Sequence, residues 1–105
     1  MCIYYYGVVN FMTTITVNEL LSLGNINLID IRSHINYNNN HIPGAKNIEY
    51  SELINDYMKY LNRNEKYYFY CQRGVTSHKL CSYLDRLGYD VTNVAGGYES
   101  WILEK

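Results

Sequence analysis

The run Tyr70-Cys71-Gln72-Arg73-Gly74-Val75-Thr76-Ser77 carries the residues of this chain best suited to nucleophile chemistry. A cysteine ends an aromatic run, a glycine-containing loop follows, and two hydroxyl residues lead into an amphipathic segment. Unpaired amides of such a loop and of the next helical turn would face the sulfur, and the helix dipole would add partial positive charge. Both favour a thiolate. A neighbouring cation acts in the same sense, and Arg73 supplies one. Gly74 lets the backbone bend or approach closely, while Thr76 and Ser77 offer hydroxyl donors to the same anion. Nothing in the run resembles a thiol–histidine pair.

The loop needs a strand before it and a helix after it. Lys66-Tyr67-Tyr68-Phe69-Tyr70 is rich in strand-favouring aromatics. Six loop residues are expected after Cys71, and then a helix over Ser77–Leu87 with Leu80, Cys81, Leu84 and Leu87 on its apolar face and Gly88 as its stop. Asn27-Leu28-Ile29-Asp30-Ile31 has the nearly continuous apolar character of a central parallel strand. Asp30 and Arg32 stand at its C-terminal end, where open α/β sheets place their ligand crevice. They read as charged hydrogen-bonding partners that tie loops together rather than as substrate contacts.

The remaining segments continue the alternation. Ile15-Thr16 forms a short strand and Val17–Leu23 a helical turn or two ending at Gly24. A surface helix over Ser33–Asn40 closes on Asn40 in a left-handed conformation, and His41-Ile42-Pro43-Gly44-Ala45 is a loop. Asn47–Tyr50 is a brief strand, and Ser51 caps a helix over Glu52–Leu61. Asp90–Ala95 is the last strand, Gly96-Gly97 turns it, and Tyr98–Leu103 is a final helix anchored by Trp101. The order β-α-β-α-β-α-β-α-β-α predicts an α/β fold: an open, mostly parallel five-stranded sheet with helices on both faces.

Composition narrows the function. A chain of 105 residues holds one domain. Its 48% hydrophobic content is that of a globular protein rather than a disordered one. Nine Lys and Arg against ten Asp and Glu lack the surplus of a duplex-binding protein, and the 13 tyrosines lack the interleaved cations of a base-stacking platform. No nucleic-acid or membrane partner is expected. The three cysteines, Cys2, Cys71 and Cys81, are too few and odd in number for a disulfide scaffold, which favours a reducing cytoplasm. Cys81 reads as a buried structural thiol. A metal site built on Cys71, His78 and Cys81 lacks a fourth ligand, so neither metal nor other cofactor is expected. His41 reads as a loop-fixing hydrogen-bonding group, and His34 and His78 as exposed. Residues 1–11 are apolar but have no basic lead and are too short to span a bilayer. They form an N-terminal extension of unassigned role before a domain over 12–105.

The Cys71–Ser77 loop resembles the active-site loop of the rhodanese sulfurtransferases. Asp30-Ile31-Arg32 is similar to that family's Asp-x-Arg signature, His41-Ile42-Pro43-Gly44-Ala45 to its His-Ile-Pro-Gly-Ala motif, and Gly96-Gly97 with Trp101 to its closing Gly-Gly-x-x-x-Trp. The resemblance spans residues 15–103. The family often has an acidic residue at the position of Asn36 and a glycine at that of Asn40.

The resemblance implies a two-step sulfur transfer. Cys71 would take the outer sulfur of a small anionic donor such as thiosulfate as a persulfide, and cyanide, another thiol or a sulfur-relay protein would remove it. Gln72, Arg73, Gly74, Val75, Thr76 and Ser77 would form the substrate-binding loop, with Arg73 holding the sulfonate end of the donor and Asp30 and Arg32 in support. Two rivals stand beside it. A cysteine phosphatase or arsenate reductase places an arginine six residues after its nucleophile, where this chain has Ser77. A non-catalytic binding module is the other, although such relatives usually lack the cysteine.

Overall fold

The computed structural model describes residues 12–105, so the N-terminal extension and Cys2 lie outside the described residues. Ten elements alternate: β1 (Thr13–Ile15), α1 (Val17–Leu21), β2 (Asn27–Asp30), α2 (His34–Asn39), β3 (Lys46–Asn47), α3 (Tyr50–Tyr60), β4 (Lys66–Tyr70), α4 (Val75–Arg86), β5 (Asp90–Val94) and α5 (Gly97–Glu104). The strands form one sheet in the order β1-β5-β4-β2-β3, and every pairing is parallel.

Strand alternation explains why the sheet is covered on both faces. Successive side chains of a strand point to opposite sides. Along β4, Tyr67 and Phe69 enter a core with Leu53 of α3 and Leu80 and Leu84 of α4, whereas Tyr68 and Tyr70 enter a second core with Val17, Leu20 and Trp101. Cys71 continues the odd-numbered set and belongs to the first core. The pleat therefore delivers its sulfur to the α4 side.

Several local expectations are corrected. Helix α3 starts at Tyr50 behind Glu49 rather than behind Ser51. The Glu49 amide donates to Glu52 Oε1 at 3.0 Å while Glu49 Oε2 accepts from the His34 amide at 2.8 Å, so Glu49, through its amide and its carboxylate, joins the starts of α3 and α2. Asn40 is extended (φ −170°) instead of left-handed. Its carbonyl accepts from Arg32 Nη2 at 2.6 Å and its own Oδ1 from the His41 amide at 3.0 Å, two bonds that hold it open. Helix α4 begins at Val75, two residues early, because Gly74 turns the chain at φ 93°. The loop after β4 is residues 71–74 and not six residues long.

Burial has one titratable consequence. Removal from water pushes the Cys81 thiol and the Tyr70 phenol far above their ordinary values of 9.0 and 10.0. In the unfolded chain both groups ionise near those ordinary values, while the folded protein retains the protons. The contribution of these two groups to stability is therefore fully present below about pH 9 and is lost as pH rises beyond it, by up to about 1.4 kcal/mol per pH unit for each retained proton. Denaturant titrations at a series of alkaline pH values should show this decline, and Cys81→Ala should make it shallower.

Candidate active site

Cys71 is 7% exposed at the C-terminal end of β4. The amides of Gly74 and Ser77 donate to its Sγ at 3.2 and 3.3 Å. The sulfur also lies 3.3 Å from Ser77 Oγ, whose hydroxyl donates to Asn93 Oδ1 at 2.6 Å. Two main-chain N–H groups from the first turn of a helix thus converge on one sulfur, an arrangement that stabilises negative charge without a titratable partner.

A second helix holds the loop open from behind. At the start of α5, the amide of Tyr98 donates to Cys71 O at 2.9 Å and that of Glu99 to Gln72 O at 3.0 Å. With those carbonyls held by α5, amides rather than carbonyl oxygens are left to face Sγ. The approach requires a glycine. A Cβ on Gly97 (φ +59°) would stand 2.2 Å from Cys71 O and 3.0 Å from the Gly74 amide. Gly97→Ala is expected to destabilise the fold by about 2–4 kcal/mol through backbone strain and overpacking. Denaturant unfolding measures the loss, and alkylation of Cys71 should slow in parallel as the loop is displaced.

The residues named from the sequence fall into three groups. Cys71, Gly74 and Ser77 form the sulfur cradle. Gln72, Arg73, Val75 and Thr76 line a basin of about 380 Å³ over Cys71, but Thr76 donates no hydrogen bond to Sγ and Arg73 is at the rim, its side chain 78% exposed. The expectation of two hydroxyls at the sulfur is thus reduced to the Ser77 contact. Asp30 and Arg32 form a buried strut. The Asp30 carboxylate accepts from Arg32 Nη2 at 2.7 Å and from Arg32 Nε, and Arg32 reaches onward to Asn40 O and to Gln72 Oε1 at 3.4 Å, with its guanidinium 4.0 Å over the Tyr98 ring. This strut ties β2, α2, the Cys71 loop and α5 together.

Two residues near the loop were not singled out from the sequence. Asn93 is buried, and its Oδ1 accepts the hydrogen bond of the Ser77 hydroxyl. A polar side chain at a position that alternation assigns to the core was the available signal. Glu99 places Oε2 3.4 Å from Gln72 Nε2 and 4.0 Å from Arg73 Nε, a placement that depends on α5 docking and leaves no local mark. Of the histidines, His41 places Nδ1 2.9 Å from Tyr37 O and stacks on the Tyr37 ring. His34 is exposed, and its bond to Asn47 with the nearby Glu49 and Glu52 carboxylates raises its pKa.

A groove of about 270 Å³ between α1 and the His41–Ala45 loop shares no residue with the Cys71 basin. Among the described residues, no group of three His, Cys, Asp or Glu side chains is placed to hold a metal ion, and no helix is long and apolar enough to cross a membrane.

The model of the rhodanese-like domain matches residues 13–104. The chain is similar to thiosulfate sulfurtransferase GlpE of Shewanella oneidensis, 28% identical over 91 residues that cover 83% of this chain and 89% of that protein. Among solved structures, it is similar to a rhodanese-like domain protein from Staphylococcus aureus, 36% identical with a TM-score of 0.72 and coverage of 86% and 91%. It is likewise similar to the human single-domain sulfurtransferase TSTD1, 28% identical with a TM-score of 0.76 and coverage of 90% and 99%.

Proposed function

The chain belongs to the rhodanese-like sulfurtransferase family, and from that premise we propose that it moves a sulfane sulfur from thiosulfate or a similar donor to a thiophilic acceptor through a persulfide on Cys71. In the first step the Cys71 thiolate attacks the outer sulfur of thiosulfate. A Cys71 S–S bond forms, the sulfur–sulfur bond of the donor breaks, and sulfite departs with its electron pair. In the second step cyanide, a thiolate or a relay protein attacks the terminal sulfur and the Cys71 thiolate leaves. Thiolate and persulfide are both anions, their charged sulfurs one bond apart, so donors fixed at this loop serve both stages without a general base.

The observation that carries this reading is the pair of amide donors from Gly74 and Ser77 to Cys71 Sγ. The tight loop also disfavours phosphoryl chemistry. The position where a cysteine phosphatase needs its arginine is Ser77, fully buried and bonded to Asn93. A reducing cytoplasmic setting suits a sulfur carrier of this kind, and Cys71 and Cys81 are both free thiols.

Mass spectrometry after thiosulfate treatment tests the proposal. One added sulfur on the Cys71 peptide, removed by cyanide, is the expected result. An unmodified Cys71 peptide under conditions where iodoacetamide still alkylates it would overturn it.

A further inference from the structure

Arg73 is the cation that the loop offers to an anionic donor, yet its guanidinium already faces a carboxylate. Glu99 Oε2 lies 4.0 Å from Arg73 Nε and 3.4 Å from Gln72 Nε2. The Glu99 amide is bonded to Gln72 O, so the main chain keeps this residue at the rim whatever its side chain does. Among the described residues, Arg73 is the only charged one lining the basin. Its one positive charge is thus opposed by one negative charge. Both side chains are largely in water, 78% and 53% exposed, so each remains open to exchange for a ligand.

Building on the reading of Cys71 as the sulfur-carrying nucleophile, we propose that Glu99 sets donor specificity: by occupying Arg73 it disfavours small doubly anionic donors such as thiosulfate relative to singly charged or neutral sulfane donors. A thiosulfate dianion reaching for Arg73 must displace Glu99 and then lie beside its carboxylate as well as beside the Cys71 thiolate. A neutral donor meets neither cost. Glu99 touches no reacting atom in this scheme and is a positioning residue that acts through Arg73.

A pair of alkylating reagents that differ only in charge reads the effect without any sulfur transfer. Iodoacetate and iodoacetamide form the same S–C bond and release the same iodide, but only iodoacetate is an anion. Rates at the Cys71 peptide are compared in the wild type, Glu99→Gln, Arg73→Ala and the double variant. In Glu99→Gln the iodoacetate to iodoacetamide ratio is expected to rise about two- to fivefold at low ionic strength, the size expected of an exposed ion pair, and to fall back at about 1 M salt. The rise should vanish in the Arg73→Ala background, and kcat/KM for thiosulfate should increase in Glu99→Gln by a similar factor. An unchanged ratio in Glu99→Gln, or a rise that persists without Arg73, would overturn the assignment. Should the ratio move while no form takes sulfur from thiosulfate, the sulfur-transfer reading fails and the charge filter at Arg73 stands.

Discussion

Cys71→Ser is expected to give no thiocyanate above the uncatalysed rate when supplied with thiosulfate and cyanide, while Cys81→Ala keeps its turnover within about twofold of wild type. The two thiols occupy the same core but different electrostatic settings. Cys71 receives two amide hydrogen bonds at the mouth of a basin. Cys81 sits further along α4 with no exposed surface, where burial and then the nearby Cys71 and Asp85 charges push its thiol up. A serine at position 71 fits the cradle, but its hydroxyl has an ordinary pKa far above that of a thiol and cannot become a persulfide. The fold should survive, which makes the loss chemical. Cys81→Ala removes one buried sulfur and should cost stability of about 1–2 kcal/mol rather than catalysis. Thiocyanate formation retained in Cys71→Ser would place the chemistry elsewhere.

How far these assignments could be read from residues alone follows from the range of the interactions involved. The β-α alternation and the Cys71 loop rest on local signals: apolar runs, helical spacing, glycine stops. Those signals are strong because the central strands are covered on both faces, and nearly every position of β4 is buried. Features that depend on one element meeting another were out of reach. Asn93 pairs in register with Phe69, so it points to the α4 face and meets Ser77, but strand order is needed to see it. Asn40 was expected to turn left-handed because nothing local shows that Arg32 will take its carbonyl. The Glu49 start is similar: Glu52 Oε1 takes the Glu49 amide and Glu49 Oε2 takes the His34 amide, and the second bond exists only once α2 is docked. Arg73 could be placed in the loop but not oriented, because its neighbour Glu99 comes from α5.

The same dependence on long-range contacts sets the second large effect, at Arg32. Asp30 has no solvent exposure, and its carboxylate accepts the Arg32 amide at 2.8 Å together with the Arg32 guanidinium. Arg32→Met keeps most of the side-chain volume but leaves that carboxylate buried and unpaired. Breaking one side of a buried ion pair costs about 3–5 kcal/mol, a large fraction of the 5–15 kcal/mol that holds a typical small domain together. Denaturant unfolding of Arg32→Met should show a loss of this size. Adding Asp30→Asn should restore part of it, because the penalty lies in the orphaned charge more than in the missing attraction. The double variant separates energy from position. Even with stability partly recovered, Gln72 Oε1 lacks the Arg32 guanidinium and Tyr98 lacks the cation over its ring, and the Tyr98 amide is one of the bonds that turn the Cys71 carbonyl away from the sulfur. Slower alkylation of Cys71 at restored stability is therefore the expected signature of Arg32 as the strut behind the cradle. Full recovery of both properties, or a loss below about 1 kcal/mol in Arg32→Met, would mean that water reaches Asp30 and that the cradle stands without it.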